Sequence, residues 1–115
     1  MASSLKYLKK NERSAIERFR DAINKNIGKD LISIIAFGSK VRGDSNEASD
    51  IDILVIVKDR SLRVMDKIAE ITAELNIEYN ISIAPVVFSK KEYDMNKVMN
   101  TSFTAAISAE GFSLQ

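Results

Sequence analysis

Two aspartates one residue apart, Asp50 and Asp52, open an otherwise apolar run, and a Gly38-Ser39 pair closes another apolar run ten residues before them. Alternate residues of an extended strand project to one face, so both carboxylates share a side of any sheet that carries them. Carboxylates that close repel each other unless a cation lies between them. Hard divalent ions with oxygen ligands, Mg²⁺ above all, suit such a pair and commonly bring substrate phosphates with them. A Gly-Ser after a strand gives a tight turn where backbone N–H groups can approach a ligand. A helical turn starting there would aim its first amides at a phosphate. Arg42, inside the spacer, offers a guanidinium fork that matches phosphate oxygens. Each piece also has a plain structural reading. A Gly-Ser is commonly a mere turn, an Asp opening a strand is commonly just solvated, and Arg42 with Asp44 would be an exposed ion pair worth under about 1 kcal/mol. Asp52 decides between them, because an unpaired charge within an apolar run costs roughly several kcal/mol and a bound metal explains its presence.

The elements that must position these residues follow from hydrophobic periodicity. Leu31–Phe37, holding Ile32, Ile34 and Ile35 and ended by glycine, reads as a buried strand. Residues 39–43 read as one helical turn and Asp44–Ser49 as a polar turn in which Ser49 orients the aspartate strand. Asp50–Val57 reads as a second strand. Asp50, Asp52, Leu54 and Ile56 fall on one face, and Ile51, Ile53, Val55 and Val57 on the other, which is wholly apolar and requires helices over it. Upstream, Leu5, Leu8, Ala15, Ile16, Phe19, Ile23 and Ile27 fall at helical spacing over residues 3–27, with a break at Asn11 and a stop at Gly28. The basic cluster Lys6, Lys9, Lys10 and Arg13 reads as a solvated helix face rather than a nucleic-acid patch.

Downstream, Ser61 caps a helix running to Leu75, with Leu62, Met65, Ile68, Ala69, Thr72 and Leu75 as its buried stripe. Glu78–Phe88 reads as a third strand whose Pro85 belongs at an edge or bulge. Ser89-Lys90-Lys91-Glu92 fits a capping box opening a short helix. Phe103, Ala106 and Ile107 suggest a last helix closed by Gly111, after which Phe112 and Leu114 fold back onto the body.

At 115 residues the chain reads as one domain, 1–115, with a single modest core. A net charge of +1 offers no field for nucleic acid or an anionic membrane. There are no cysteines, which excludes disulfides, thiolate zinc sites and cysteine nucleophiles. There is no histidine, so the commonest general base and transition-metal ligand are missing too. Any catalysis must run on carboxylates, hydroxyls, Lys, Arg and bound ions. No apolar segment approaches a membrane span and no signal peptide is visible, so a cytoplasmic location is expected.

Gly38-Ser39, a ten-residue spacer containing Arg42-Gly43, and Asp50-x-Asp52, with apolar strands on both sides, resemble the active-site signature of the DNA polymerase β-type nucleotidyltransferase superfamily. Within it they resemble the minimal nucleotidyltransferase branch, over nearly the whole chain. The resemblance implies the nucleotidyltransferase fold, an α+β domain with a small mixed sheet, helices packed mainly on one side and the site at the open face. It implies that Asp50 and Asp52 are catalytic and hold Mg²⁺, that Gly38 and Ser39 cradle the β- and γ-phosphates of ATP or another NTP, and that Arg42 contacts phosphate. An acceptor hydroxyl would then take a nucleoside monophosphate, AMP in the case of ATP. Members of this branch are often encoded beside a small helical HEPN-type protein in toxin–antitoxin pairs. There the nucleotidyltransferase is the antitoxin and adenylylates a tyrosine of the HEPN ribonuclease. A helical protein partner and a homo- or hetero-oligomer are therefore expected, and neither membrane nor nucleic acid. One departure stands out. The superfamily usually adds a third carboxylate from the next strand, and the corresponding face here shows Asn80, Ser82 and Ala84. Glu78 is the nearest acid and reaches only if the register shifts. The alternative reading is a catalytically impaired nucleotide-binding subunit that neutralises its partner by binding alone.

Overall fold

Two β-branched, apolar strands pair antiparallel at the centre of a four-stranded sheet. In the computed structural model, which describes residues 5–46 and 48–114, these are β1 (Leu31–Phe37) and β2 (Ile51–Val57). Ser3 and Ser4 of the expected first helix, and Glu47 of the spacer, lie outside the described residues. The register sets Phe37 opposite Asp52, so the residue that follows β1 meets the acidic end of β2. A parallel neighbour of β2, β3 (Ile83–Ser89), forms one edge and sets Ala84 against Asp52. A two-residue strand, β4 (Phe112–Ser113), pairs antiparallel with β1 at the other edge. The order is β3-β2-β1-β4, a mixed sheet.

The two faces are covered unequally. Helices α1 (Lys10–Ile27) and α3 (Leu62–Tyr79) lie over one of them. They close the main core, in which Ile53, Val55 and Val57 meet Phe19, Ile23, Ile68 and Leu75. The opposite face carries Leu54 and Ile56, covered by the short α4 (Lys90–Val98) and α5 (Ser102–Glu110) through Tyr93, Phe103 and Ile107. Phe37 and Phe103 close that cover edge to face, 5.5 Å between ring centres. Asp52 is the next residue of β2 on this face and lies past the cover, half-buried. A single four-residue turn of helix, α2 (Ser39–Arg42), joins β1 to the polar spacer. Among the described residues no helix is long and apolar enough to cross a membrane.

The structure moves three expected boundaries. A 3-10 turn (Leu5–Tyr7) precedes α1, so the break falls at Lys9 and not at Asn11. Helix α3 runs a turn past Leu75 and ends at Asn80, whose φ of 53° is the left-handed conformation that stops helices. Asn76 then accepts from the Ile83 N–H at 2.8 Å and donates to the Ile83 carbonyl at 3.2 Å, fixing where β3 starts. Glu78 and Asn80 therefore belong to the helix and its cap, and the expected strand Glu78–Phe88 begins only at Ile83. The buried stripe of α3 is also rotated. Val64, Ile68, Ile71, Thr72 and Leu75 are inside, while Leu62 is 78 % exposed and Ala69 faces solvent. Pro85 sits on an edge strand, as a residue without an N–H must.

Capping fixes the cover helices. Ser61 accepts from the Val64 N–H and caps α3. Ser89 and Glu92 form a capping box at α4. Glu92 also takes the Arg60 guanidinium as a fork, at 2.7 and 2.6 Å. That fork first, and then the Ser89 N–H, hold the Glu92 carboxyl down at about 2. A carboxyl depressed on folding stabilises above its ordinary value of 4.5 and loses that effect as pH falls through about 2. Glu92→Gln should therefore lower the thermal midpoint at neutral pH, and the gap to the parent should close as the pH is lowered below 4.5. Circular dichroism melts across that range test it, and a gap that stays constant down to the lowest pH would refute the assignment.

Candidate active site

Gly38 is the pivot. Its φ is 86°, a conformation that L side chains rarely adopt, and a Cβ at this position would overlap Oδ2 of Asp52. The missing side chain thus lets the Asp52 carboxylate lie directly against the backbone that leaves β1. The Gly38 carbonyl accepts from the N–H groups of Val41 and Arg42 and so starts α2. Its own N–H points elsewhere, to the carboxylate of Glu110 at 2.7 Å.

Helix α2 is too short to hold itself and is anchored by two side chains. Val41 is fully buried in the main core. Lys40 is 4 % exposed and places its ammonium 2.7 Å from Oε2 of Glu12, itself buried in the first turn of α1. The other oxygen of Glu12 accepts from the Lys9 N–H at 2.8 Å, so one carboxylate caps α1 and tethers α2. Ser39, half-buried, is the first residue of α2 and Arg42, exposed, is the last. Arg42 donates from Nε to Asp44 at 3.2 Å and from Nη1 to Glu110 at 2.8 Å. The surface pair with Asp44 exists, but the same guanidinium also reaches into the site.

Asp50 precedes β2, is exposed, and accepts from the Ser82 hydroxyl at 2.6 Å. Ser49 does not orient it; its hydroxyl accepts from the Asn46 N–H and closes the turn before the strand. Burial pushes the Asp52 carboxyl above its ordinary value of 3.8, with Asp50 and then Glu110 adding to the rise and Arg42 opposing it. Gly38, Arg42, Asp50 and Asp52 thus converge on one corner of the sheet, past the α4–α5 cover, and Ser39 begins the helix beside it. A third carboxylate from β3 is not there: Ala84 stands beside Asp52. Glu78 lies on α3 and pairs with Arg18, so no shift of register brings it to the site. Next to the Asp50–Ser82 link lies a polar cleft of about 500 Å³, lined by Lys9, Asn11, Glu12, Ser49, Asn80 and Ser82 among others.

Among the described residues no group of three or more His, Cys, Asp or Glu is gathered for a metal. The Asp50–Asp52 pair, in which burial and then Asp50 raise the Asp52 carboxyl, still fits Mg²⁺, which takes few protein ligands and fills its octahedron with water and phosphate. The sequence reading missed Glu110, Glu12 and Lys40. Only Lys40, directly after Ser39, stood near enough to the motif to draw notice.

A fold of this topology with a glycine turn set against an Asp-x-Asp strand defines a class, and the family profile described as nucleotidyltransferase domain matches residues 16–102. The chain belongs to the nucleotidyltransferase-domain family. Among its relatives are three proteins of Methanocaldococcus jannaschii, each named as a candidate protein adenylyltransferase. MJ0604 is 37 % identical over 101 residues, 88 % of this chain and 95 % of its own length. MJ0141 is 36 % identical over 76 residues, 65 % of this chain and 77 % of its own. MJ1305 is 34 % identical over 86 residues, 72 % of this chain and 58 % of its own. The crystal structure of spectinomycin adenyltransferase AAD(9) from Enterococcus faecialis with ATP and spectinomycin shares the fold, at a TM-score of 0.54 and 23 % identity over 70 % of this chain and 35 % of that one.

Two outcomes follow from the electrostatics. Lys40→Met leaves Glu12 buried without its cation and should destabilise by about 3–5 kcal/mol, the usual cost of breaking such a pair, which urea titration would measure. Asp52, raised on folding, costs the metal-free fold stability as pH climbs from 3.8 through its raised value. In the presence of a chelator Asp52→Asn should therefore melt higher than the parent at neutral pH, the difference closing as the pH falls to 3.8 and below. A lower melting point at neutral pH would contradict the sign.

Proposed function

We propose that this protein is a Mg²⁺-dependent nucleotidyltransferase that moves AMP from ATP to a hydroxyl of a partner protein. The observation that carries this reading is the convergence of the Asp50–Asp52 pair with the Gly38 turn and Arg42, where the register sets the end of β1 against the acidic end of β2. Asp50 and Asp52 would hold the metal, with Ser82 orienting Asp50. The Gly38 N–H, Ser39 and the Arg42 fork would bind the β- and γ-phosphates. The bound ion would supply charge neutralisation along the triphosphate and at the entering and leaving oxygens. The acceptor oxygen forms a bond to the α-phosphorus, the bond from that phosphorus to the bridging oxygen breaks, and pyrophosphate leaves. With Ala84 beside Asp52, β3 offers no carboxylate there for the hydroxyl proton, which would pass to solvent.

The names of the three archaeal relatives support AMP as the transferred group and a protein as the acceptor. The acceptor that fits the family resemblance is a tyrosine of a helical HEPN-type toxin, with this chain as the cytoplasmic antitoxin. Ala84 supports a second reading, a nucleotide-binding subunit that neutralises its partner by contact alone. Incubation of the chain with α-labelled ATP, Mg²⁺ and the HEPN protein separates the two. Label on the partner that falls about 10²–10³-fold in Asp52→Asn, the scale of losing one electrostatic stabiliser, supports transfer. Full neutralisation of the toxin by Asp52→Asn without any label supports binding alone.

A further inference from the structure

Glu110 has no part in the reaction just described, yet it holds two of the donors that reaction needs. Its Oε2 accepts from the Gly38 N–H at 2.7 Å and from Arg42 Nη1 at 2.8 Å. Its side chain is 16 % exposed, so these are sheltered, charge-assisted bonds. The backbone that delivers it is fixed on both sides. Helix α5 ends at Glu110, the Gly111 N–H bonds the Ile107 carbonyl at 2.8 Å, and the Leu114 N–H bonds the Ile34 carbonyl at 2.9 Å beyond β4. Glu110 also lies outside residues 16–102, the span that matches the family profile.

A backbone N–H carries one hydrogen and serves one strong acceptor at a time. The Gly38 N–H cannot bond Glu110 and a phosphate oxygen together. An anionic oxygen lying between a glycine amide and a guanidinium is also the arrangement that phosphate recognition uses. We infer that Glu110 is an internal phosphate surrogate: it occupies the cradle in the nucleotide-free protein and is displaced by the polyphosphate of the incoming nucleotide. The inference rests on the proposed role of Gly38 and Arg42 in binding triphosphate.

The alternative is a simple brace that shapes the turn. The neighbourhood argues against it. One oxygen of Glu110 holds both the Gly38 N–H and Arg42 Nη1, the donors a phosphate would need, so a permanent brace would leave the turn without them. A surrogate that leaves when the polyphosphate arrives returns both donors to it. The glutamate side chain can swing away on its own rotatable bonds while β4 stays paired. A competitor tied to the chain also acts as a filter. A ligand bearing one phosphate replaces a single carboxylate with little gain, whereas a metal-bound triphosphate brings further contacts that outweigh it.

If Glu110 fills the cradle about nine-tenths of the time, nucleotide affinity is reduced roughly tenfold. Titration calorimetry of Mg²⁺–ATP and Mg²⁺–tripolyphosphate against the parent, Glu110→Ala and Glu110→Gln tests this. The expected result is about tenfold tighter binding of both ligands by Glu110→Ala, and an intermediate gain for Glu110→Gln, whose neutral amide keeps the shape but loses the charge. Melting curves establish that each variant is folded, and Glu110→Gln carries the test if the alanine variant is not. Equal or weaker binding by the folded variants, with the parent still binding, overturns the surrogate and leaves the nucleotidyltransferase reading intact. No binding of either ligand by parent and variants alike overturns both.

Discussion

A buried ion pair sets the geometry on which the site depends. Glu12 caps the first turn of α1 with one oxygen and holds Lys40 of α2 with the other, both side chains being almost wholly withdrawn from water. Withdrawing two charges is expensive, and the attraction between them roughly repays it only when each is fully satisfied. Here the described buried side chains leave no nitrogen or oxygen without a partner. Such a pair adds little net stability, but it is strict about position. A four-residue helix has too few internal hydrogen bonds to stand alone, and it takes its place from Lys40 and Val41. The turn at Gly38 is set in consequence, because that residue's carbonyl begins the helix.

The second constraint is the antiparallel register of the central strands. Phe37 opposite Asp52 brings the turn after β1 to the acidic end of β2, and a glycine of positive φ removes the one atom that would keep them apart. The hydrophobic cover from α4 and α5 stops at Phe37 and Phe103. Apolar packing thus ends where charge begins, and Asp52 sits at the boundary, partly desolvated and facing Asp50 and Arg42. A site built this way is held by secondary structure and packing up to its rim, where its charged groups are engaged with one another and with Ser82.

Much of this was legible in the residue order. β1 and β2 announce themselves by β-branched runs, the phase of β2 follows from alternation, and the joined Gly-Ser and Asp-x-Asp pattern marks where the Gly38 turn meets Asp52. Ser61, Ser89 with Glu92, and Gly111 mark helix ends by local chemistry, and all three do so in the structure. The stretch 77–81 misleads because Ile77, Tyr79 and Ile81 alternate with polar residues like a strand. In the fold Ile77 is 83 % exposed and Tyr79 packs on the core as the last turn of α3, with left-handed Asn80 closing it. Glu12, Lys40 and Glu110 were invisible for another reason. The partners that matter to the site are 28 to 72 residues away in the chain, and no local pattern encodes which distant group a side chain will meet.

The margins of the sheet have a consequence for assembly. On one side β4 occupies the backbone groups of β1 at Ile35 and Ala36, and on the other β3 presents Pro85, which has no N–H to offer a newcomer. Unshielded borders of this kind recruit foreign strands into continuous ladders and, at worst, aggregates. Both borders here, one a two-residue strand and the other carrying a proline, are poor templates for a further strand.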